Sequence, residues 1–372
     1  MMKGAGSMSG KDCGARGWAR VLLAAVVVVL VTADLAMINP AVLGNRTGVA
    51  LARSKETSNP LVIRVGHFPN ITHAQALVGF ADGTFAKALG PGVKIDRKVF
   101  NAGPSEIEAM LAGEIDLGYI GPVPAINGFV RSRGGLKIVA GATNGGAVLV
   151  ARNGSGIRDL KGLAGKTVAV PQFGNTQDIS LRRLLQVAGL KTANKGGNVT
   201  VLQVENPDIY MLFLRKEIDA ALVPEPWGSR LTKEAGGRIL LDWKEIWRDG
   251  NYSTAVIIVR TQFLEEHPDL VEKWLRAHVE LTGRIAADPA KHESTLNSQI
   301  QKLTGKSLPP DLVTSALSRI VSTYDPVSDS IREFVSLSQA NGYLPEKPDL
   351  ARLLELKILN GILREKGLAP VR

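Results

Sequence analysis

Residues 168–185, VAVPQFGNTQDISLRRLL, decide the fold because they predict a strand, a turn and a helix in succession. A short apolar run ends at Pro171, and Asn175 and Thr176 are residue types that favour a helix N-cap. Such a turn directs backbone N–H groups and the positive end of a helix dipole at one point, which suits a small anion. The alternative is an ordinary strand-to-helix connection in which Asn175 or Thr176 caps the helix.

The composition is that of a globular protein, and the sequence shows no pattern of a metal site or of a catalytic thiol. The chain has 372 residues, 45% of them apolar, and a net charge of +10, which allows one large or two medium domains. No block of Lys and Arg is interleaved with aromatic residues, so nucleic-acid binding is not expected. The single cysteine, Cys13, lies in the N-terminal leader, and the five histidines lack the spacing of metal ligands. We therefore expect no cofactor and no metal.

Residues 1–53 are predicted to be a signal peptide or membrane anchor followed by a linker. Basic residues precede a mainly apolar run at 21–33, which is the order of an export signal. Ala50-Leu51-Ala52 has the form of a cleavage site, whereas a run extended through 35–38 could remain as an uncleaved anchor. We expect an exported protein, in the periplasm or on the outer face of the cytoplasmic membrane.

From residue 61 onwards, short apolar strands alternate with helices, a pattern that predicts parallel sheets with helices on both faces. Residues 111–125 (LAGEIDLGYIGPVPA) and 214–228 (LRKEIDAALVPEPWG) share the order helix end, Glu-Ile-Asp, strand, Pro-rich turn. This likeness indicates an α/β protein with two similar lobes. After Pro268 the chain is predicted to be mostly helical.

Five segments carry a resemblance to a known family: IRVGHFPN (63–70), GPSEIEAMLAGEIDLGYIGPVPAI (103–126), LKGLAGKTVAVPQFGNTQD (160–178), VPEPW (223–227) and STAVIIVRTQFLEEHPDLV (253–271). In their order and spacing the chain resembles the substrate-binding proteins of ABC importers in the sulfonate, taurine and nitrate group. The resemblance implies a type II periplasmic binding fold, with two lobes joined by a two-strand hinge, a helical C-terminus and ligand in the cleft between the lobes. Lobe 1 is expected at 61–145 with most of 255–372, and lobe 2 at 150–250.

The resemblance implies a monomeric extracytoplasmic solute-binding protein, not an enzyme, that delivers a small anion to the permease of an ABC importer. An aliphatic sulfonate is the expected ligand, and nitrate, taurine and bicarbonate are alternatives. A protein of the same fold that binds or processes a pyrimidine precursor of thiamine is a further alternative. The body lacks cysteine, a Ser-His-Asp arrangement and a paired acid/base motif, which argues against an enzyme. The other class considered is a sensory or scaffold protein anchored by its leader.

Four turns are expected to converge on the cleft and to supply the ligand-binding residues. These candidates are Asn70, Thr72, His73, Tyr119, Gly121, Gly174, Asn175, Thr176, Gln177, Glu225 and Trp227. The turns at 103–105 and 251–253 are additional candidates. Since no arginine lies in these turns, neutral donors would hold a monoanionic head group unless Arg152 or Arg182 reaches in.

Several of these candidates have a structural alternative. Asn70 or Thr72 could simply cap a helix, and Tyr119 could belong to the core. His73 could be a buried structural histidine or, if protonated, could add positive charge to the site. Glu225 could face an amino or hydroxyl group of the ligand, as taurine would require, or could pair with a nearby arginine. Trp227 could pack against an alkyl group or form a wall of lobe 2.

Overall fold

The computed structural model describes residues 60–372, and the predicted leader and linker at 1–53 lie outside the described residues. The strands are β1 (Leu61–His67), β2 (Val93–Val99), β3 (Leu117–Ile120), β4 (Leu136–Gly145), β5 (Ala147–Arg152), β6 (Thr167–Val170), β7 (Thr200–Gln203), β8 (Ala220–Pro224), β9 (Gly237–Leu241), β10 (Ser253–Arg260) and β11 (Ile320–Ser322). They form a first sheet in the order β11-β4-β10-β3-β1-β2 and a second sheet in the order β7-β6-β8-β5-β9.

The helices of the described residues follow the predicted alternation with strands. They are α1 (Ala74–Ala81), α2 (Thr84–Leu89), α3 (Gly103–Leu111), α4 (Pro122–Arg131), α5 (Thr176–Val187), α6 (Asn206–Leu214), α7 (Trp227–Glu234), α8 (Trp243–Ile246), α9 (Thr261–Glu266), α10 (Pro268–Ala287), α11 (Glu293–Thr304), α12 (Pro310–Leu317), α13 (Ser328–Ala340), α14 (Leu350–Leu353) and α15 (Lys357–Glu365). Within residues 60–372, none of these helices has the length and hydrophobicity that a membrane crossing needs. The predicted helical C-terminus is confirmed.

The prediction of parallel sheets is wrong in one respect, because both sheets are mixed. β1 runs parallel to β2 and β3, and β6 runs parallel to β7 and β8. β10 is antiparallel to β3 and β4, and β5 is antiparallel to β8 and β9. β5 and β10 are the first strands after the chain passes from one sheet to the other, and the short β11 also pairs antiparallel with β4.

The first crossing is very short, because β4 ends in one sheet at Gly145 and β5 begins in the other at Ala147. Gly145 and Gly146 have φ of 68° and 75°, a left-handed conformation that glycine adopts without strain. The second crossing leads from β9 to β10. The chain thus passes from the first sheet to the second after β4 and returns to the first at β10.

Helices cover the faces of both sheets and bury their apolar residues. On the first sheet, α10 packs against α1 and α2, and the Trp274 ring stacks on Phe85 with centroids 3.9 Å apart. On the second sheet, α6 and α7 bury Phe213 and Leu231 against β5 and β8. In the C-terminal region, α13 packs against both α4 and α5, so this helix contacts the helices that start beside each sheet.

Candidate ligand-binding site

A cavity of about 30 Å³ lies where the carboxyl ends of strands from both sheets face each other. It is lined by Phe68, Asn70, Thr72, His73, Asn101, Ala102, Gly103, Gly121, Pro124, Pro171, Asn175, Thr176, Gln177, Asn206, Pro224 and Thr254. Most of these residues follow β1, β2, β3, β6 or β7, which is where open α/β sheets bind ligands. The cavity has room for one or two waters or for a head group of comparable size.

Four helices begin at this cavity, and each directs the positive end of its dipole toward it. Gly103 is the first residue of α3, Gly121 is the N-cap of α4, Asn175 is the N-cap of α5, and Asn206 is the first residue of α6. The N-cap residues of α3, α4 and α6 make no side-chain capping bond. First-turn N–H groups have no partner within their own helix, so this arrangement favours an anion.

The predicted helix cap and the predicted site coincide at α5. The Asn175 side chain accepts a hydrogen bond from the backbone N–H of Asp178 at 2.8 Å, so Asn175 is the cap that the sequence allowed. Thr176, the first residue of the helix, does not use its hydroxyl for capping. Both residues line the cavity, and the cap therefore fixes the turn that presents Thr176.

Three lining side chains carry buried polar atoms without a hydrogen-bond partner in the described part of the chain. These atoms are Oγ1 of Thr176, Oγ1 of Thr254 and Oδ1 of Asn206. A buried polar atom left unpaired costs about 1–3 kcal/mol, which a polar ligand can recover. Both hydroxyls can donate to an anion, and a half-turn of the Asn206 amide presents its NH2 in place of its oxygen.

His73 is a neutral donor in this site. The backbone N–H of Phe68 donates to His73 Nδ1 at 3.3 Å, so Nδ1 is unprotonated and the ring proton lies on Nε2. Burial lowers the pKa of His73 to about 3. The positive charge that a protonated His73 would have added is therefore absent at neutral pH.

No Asp, Glu, Lys or Arg side chain is among the cavity-lining residues of the described chain. Arg152 and Arg182, which could have reached in, are held by Asp219 at 3.1 Å and by Asp178 at 2.9 Å. The site can thus offer neutral hydrogen-bond donors and helix dipoles to a ligand. Residues 60–372 also contain no group of three or more metal-ligating side chains placed to hold an ion.

The structure brings seven of the predicted site residues together and places four elsewhere. The seven that line the cavity are Asn70, Thr72, His73, Gly121, Asn175, Thr176 and Gln177. The four outside the lining are Tyr119, Gly174, Glu225 and Trp227. Asn70 occupies the N-cap position of the 3₁₀ turn Ile71–His73, but its side chain makes no capping bond.

Each of the four residues outside the lining has a partner within the protein, which for Trp227 is Asn70. The Tyr119 hydroxyl lies 3.1 Å from His278 Nδ1 in the core, and the Gly174 N–H donates to Asp178 at 3.0 Å. Glu225 is fully buried; it accepts a hydrogen bond from the Ser229 N–H at 3.0 Å and lies 3.5 Å from the Arg319 guanidinium. The structure therefore supplies the arginine partner that was one of the two possibilities for Glu225.

Sequence reasoning missed Asn101, Asn206 and Thr254 as lining residues. Asn206 opens a helix directly after a strand, the same pattern that singled out Thr176, so the signal was present. Thr254 follows the turn at 251–253 by one position. Of the turn at 103–105, Gly103 lines the cavity, while the Ser105 hydroxyl donates to the Ala102 carbonyl.

Known proteins share both the sequence pattern and the fold. The NMT1-like family matches residues 56–298. The taurine-binding periplasmic protein of Escherichia coli (strain K12) is 29% identical over 215 residues, which are 58% of this chain and 64% of that protein. A putative aliphatic sulfonates-binding protein of Bacillus subtilis (strain 168) is 33% identical over 194 residues, 50% of this chain and 54% of that protein. The chain therefore spans between half and two thirds of these relatives.

Solved structures extend the likeness over most of the described residues. The alkanesulfonate-binding protein SsuA from Xanthomonas axonopodis pv. citri, bound to MOPS, has a TM-score of 0.68 at 21% identity, covering 80% of this chain and 99% of that one. The periplasmic nitrate-binding protein NrtA from Synechocystis PCC 6803 has a TM-score of 0.68 at 14% identity, covering 82% and 89%. At these identities the likeness shows a shared fold, and the predicted type II periplasmic binding fold is confirmed.

Proposed function

The chain belongs to the NMT1-like family, and from this premise we propose that it is an extracytoplasmic solute-binding protein for a small monoanion. We propose an aliphatic sulfonate as the ligand and an ABC permease as the partner that receives it. The observation that carries the proposal comes from residues 60–372, where four helix N-termini converge on a cavity with no charged side chain in its lining. In our proposal the protein is a monomer, and residues 61–145 with most of 255–372 form one lobe and 150–250 the other.

A sulfonate fits the chemistry of this cavity. It stays singly charged at every physiological pH, and its three oxygens accept hydrogen bonds from hydroxyl, amide and backbone N–H groups. Thr176, Thr254 and His73 can each donate, and the helix dipoles stabilise one negative charge without a formal counter-ion. A dianionic phosphonate would bring a second charge that no lining cation balances. The same argument favours binding over catalysis, since among the residues that the structure describes His73 is the one titratable side chain in the lining, and burial keeps it neutral.

Taurine and nitrate are the alternatives that need separate treatment. Taurine carries an ammonium group that would call for a carboxylate, and the candidate Glu225 lies outside the lining and faces Arg319. We therefore place simple alkanesulfonates ahead of taurine for this chain, although one relative is named for taurine. Nitrate is the second candidate, and the cavity of about 30 Å³ is the observation that favours so small an ion.

Thermal unfolding of the purified protein with a panel of anions tests the proposal. The panel contains ethanesulfonate, taurine, nitrate, bicarbonate, methylphosphonate and a thiamine precursor. A ligand present at a hundredfold excess over its Kd adds about 2.7 kcal/mol of stability. We expect ethanesulfonate to raise the melting temperature most. A rise with nitrate alone would select the second candidate, and no rise with any anion would refute the proposed function.

Thr176→Val tests whether the bound anion lies at the start of α5. The substitution keeps the shape of the side chain and removes a hydroxyl that has no partner in the described chain, so the ligand-free protein should lose no stability. The rise in melting temperature that ethanesulfonate causes should be smaller in this variant than in the parent protein. Thr192→Val is the matched control, because Thr192 is buried outside the cavity and should leave the shift unchanged. An unchanged shift in Thr176→Val would exclude this location.

A further inference from the structure

Trp227 does not line the cavity, yet it bonds to a residue that does. Its indole Nε1–H donates to Asn70 Oδ1 at 3.1 Å, and the exposed fractions of Trp227 and Asn70 are 6% and 4%. Asn70 follows β1 in the first sheet, and Trp227 starts α7 directly after β8 of the second sheet. This buried hydrogen bond thus joins the two sides of the cavity through residues 157 positions apart.

The bond also decides which way the Asn70 amide points. An indole N–H can only donate, so the atom of Asn70 that faces it must be the carbonyl oxygen. The amide nitrogen lies on the other side of the side chain, and its two hydrogens have no acceptor among residues 60–372. Because Asn70 lines the cavity, Trp227 leaves the Asn70 NH2 available as a donor to a ligand.

Glu225 holds Trp227 in place. Its carboxylate accepts the Ser229 N–H in the first turn of α7 and lies beside Arg319, so the start of this helix is fixed from within the protein. This accounts for the Glu225-Pro226-Trp227 turn, whose charged and aromatic members were both predicted to touch ligand. Trp227 bonds instead to Asn70, which lines the cavity, and Glu225 bonds within the helix that Trp227 begins.

A second hydrogen bond joins the same two sides at the surface. Asn101 Nδ2 donates to Glu205 at 2.8 Å, just before α3 and α6 begin. This pair is exposed, and water competes for both partners, so its net contribution is small. The Asn70–Trp227 bond is shielded from water, and breaking it leaves the Asn70 oxygen unsatisfied.

We propose that Trp227 is a positioning residue for the anion site: its indole N–H orients the Asn70 amide toward the ligand and ties the two sides of the cavity together. This inference rests on the proposed function. Ligand bound to the Asn70 NH2 and the bond from Trp227 across the cavity then favour each other, because both need the same amide orientation.

Trp227→Phe tests the binding part of this proposal. The variant keeps an aromatic ring and removes the donor, so ethanesulfonate should bind about tenfold more weakly by calorimetry, as expected for one lost buried hydrogen bond. Trp247→Phe is the matched control, since Trp247 is buried against Tyr252 and Phe334 outside the cavity lining and should leave the affinity unchanged. Equal affinity in Trp227→Phe and the parent protein would overturn the positioning role.

Two substitutions at Asn70 separate its bond to Trp227 from its contact with ligand. Asn70→Asp keeps an oxygen for the indole and replaces the NH2 by negative charge, so anion binding should be lost while the indole stays bonded. Asn70→Ala removes both the side-chain oxygen and the NH2 group. Hydrogen exchange of the Trp227 indole N–H, measured by NMR without ligand and relative to the Trp247 indole, should accelerate at least about tenfold in Asn70→Ala and stay slow in Asn70→Asp.

The ligand-free measurement keeps the two proposals distinct. If the parent protein binds no anion of the panel, the proposed function fails, and the exchange rates alone decide whether Trp227 and Asn70 are tied. Unchanged exchange in Asn70→Ala would overturn the inference even if ethanesulfonate binds.

Discussion

Gly121 and Thr176 approach each other so closely across the cavity that a Cβ at position 121 would lie 2.4 Å from Thr176 Oγ1. Gly121 is the N-cap of α4 beside the first sheet, and Thr176 is the first residue of α5 beside the second. The φ of Gly121 is −67°, which any residue can adopt, so the glycine is required for space and not for its backbone conformation. The two helix starts lie this close at the cavity because no side chain separates them.

Gly121→Ala should therefore weaken ethanesulfonate binding without unfolding the protein. Forcing an extra methyl group into a packed contact costs about 1–3 kcal/mol, which is roughly 5- to 150-fold in affinity if the cavity opens to relieve it. Calorimetry and thermal unfolding measure the two effects. Gly283→Ala is the control: nothing lies within 4 Å of its Cβ position in α10, so affinity should stay constant and stability should rise by about 0.5–1 kcal/mol. Equal affinity in Gly121→Ala would refute the close contact.

Asn206→Asp should abolish anion binding while leaving the fold intact. A carboxylate is favourable at the first turn of a helix, so α6 should not be destabilised. The introduced carboxylate and a bound sulfonate about 4 Å away would repel each other by about 4 kcal/mol at an effective dielectric constant of 20. This repulsion predicts more than a hundredfold loss of affinity. Titration with ethanesulfonate checks this.

Asn194→Asp provides the control for Asn206→Asp, because Asn194 is exposed and lies outside the cavity. The control should bind as the parent protein does. If Asn206→Asp retained its affinity, the anion would have to lie away from the start of α6.

The turns of the site could be predicted from sequence, whereas side-chain directions could not. Strand, turn and helix signals located Gly121, Asn175 and Thr176, because local residue types set a turn. Tyr119 comes two positions before Gly121 but turns its side chain into the core, a choice that depends on how the sheet is covered.

The contacts of the other candidate residues depend on partners that are distant in sequence. The role of Glu225 depended on Arg319, 94 residues further along the chain, and that of Trp227 on Asn70, 157 residues before it. The short strand β11 was also missed, since three residues carry too little pattern to be recognised.

Binding of ethanesulfonate should be almost independent of pH between about 5 and 8. Burial lowers the pKa of His73 to about 3, so the ring stays neutral over this range and the sulfonate stays charged. A protonated His73 would instead strengthen binding below about pH 6.5, the ordinary value for histidine. Calorimetric titrations at pH 5, 6.5 and 8 distinguish these cases. A tenfold gain in affinity on acidification would show that His73 contributes a charge.

Glu106 should make the protein less stable as the pH rises. It lies in α3, fully buried, with both carboxyl oxygens unpartnered in the described chain, and Gly66 and Gly118 leave room for it between their strands. Burial raises the pKa of Glu106 well above 4.5. The folded protein therefore holds this proton more tightly than the unfolded chain does. The free energy of unfolding should fall by about 1.4 kcal/mol per pH unit from about pH 4.5 upwards, until the pH reaches the pKa of Glu106 in the folded protein.

Glu106→Gln removes this ionisation and keeps the shape of the side chain. The variant should be more stable than the parent protein at pH 8, and the difference should shrink toward pH 5, as measured by urea unfolding at several pH values. Glu108→Gln is the matched control on the same helix: Glu108 is exposed and bonded to Arg131, which lowers its pKa, so this variant should retain the parent's loss of stability with rising pH. Parallel pH profiles for Glu106→Gln and the parent protein would mean that Glu106 ionises in the folded state much as it does in the unfolded chain.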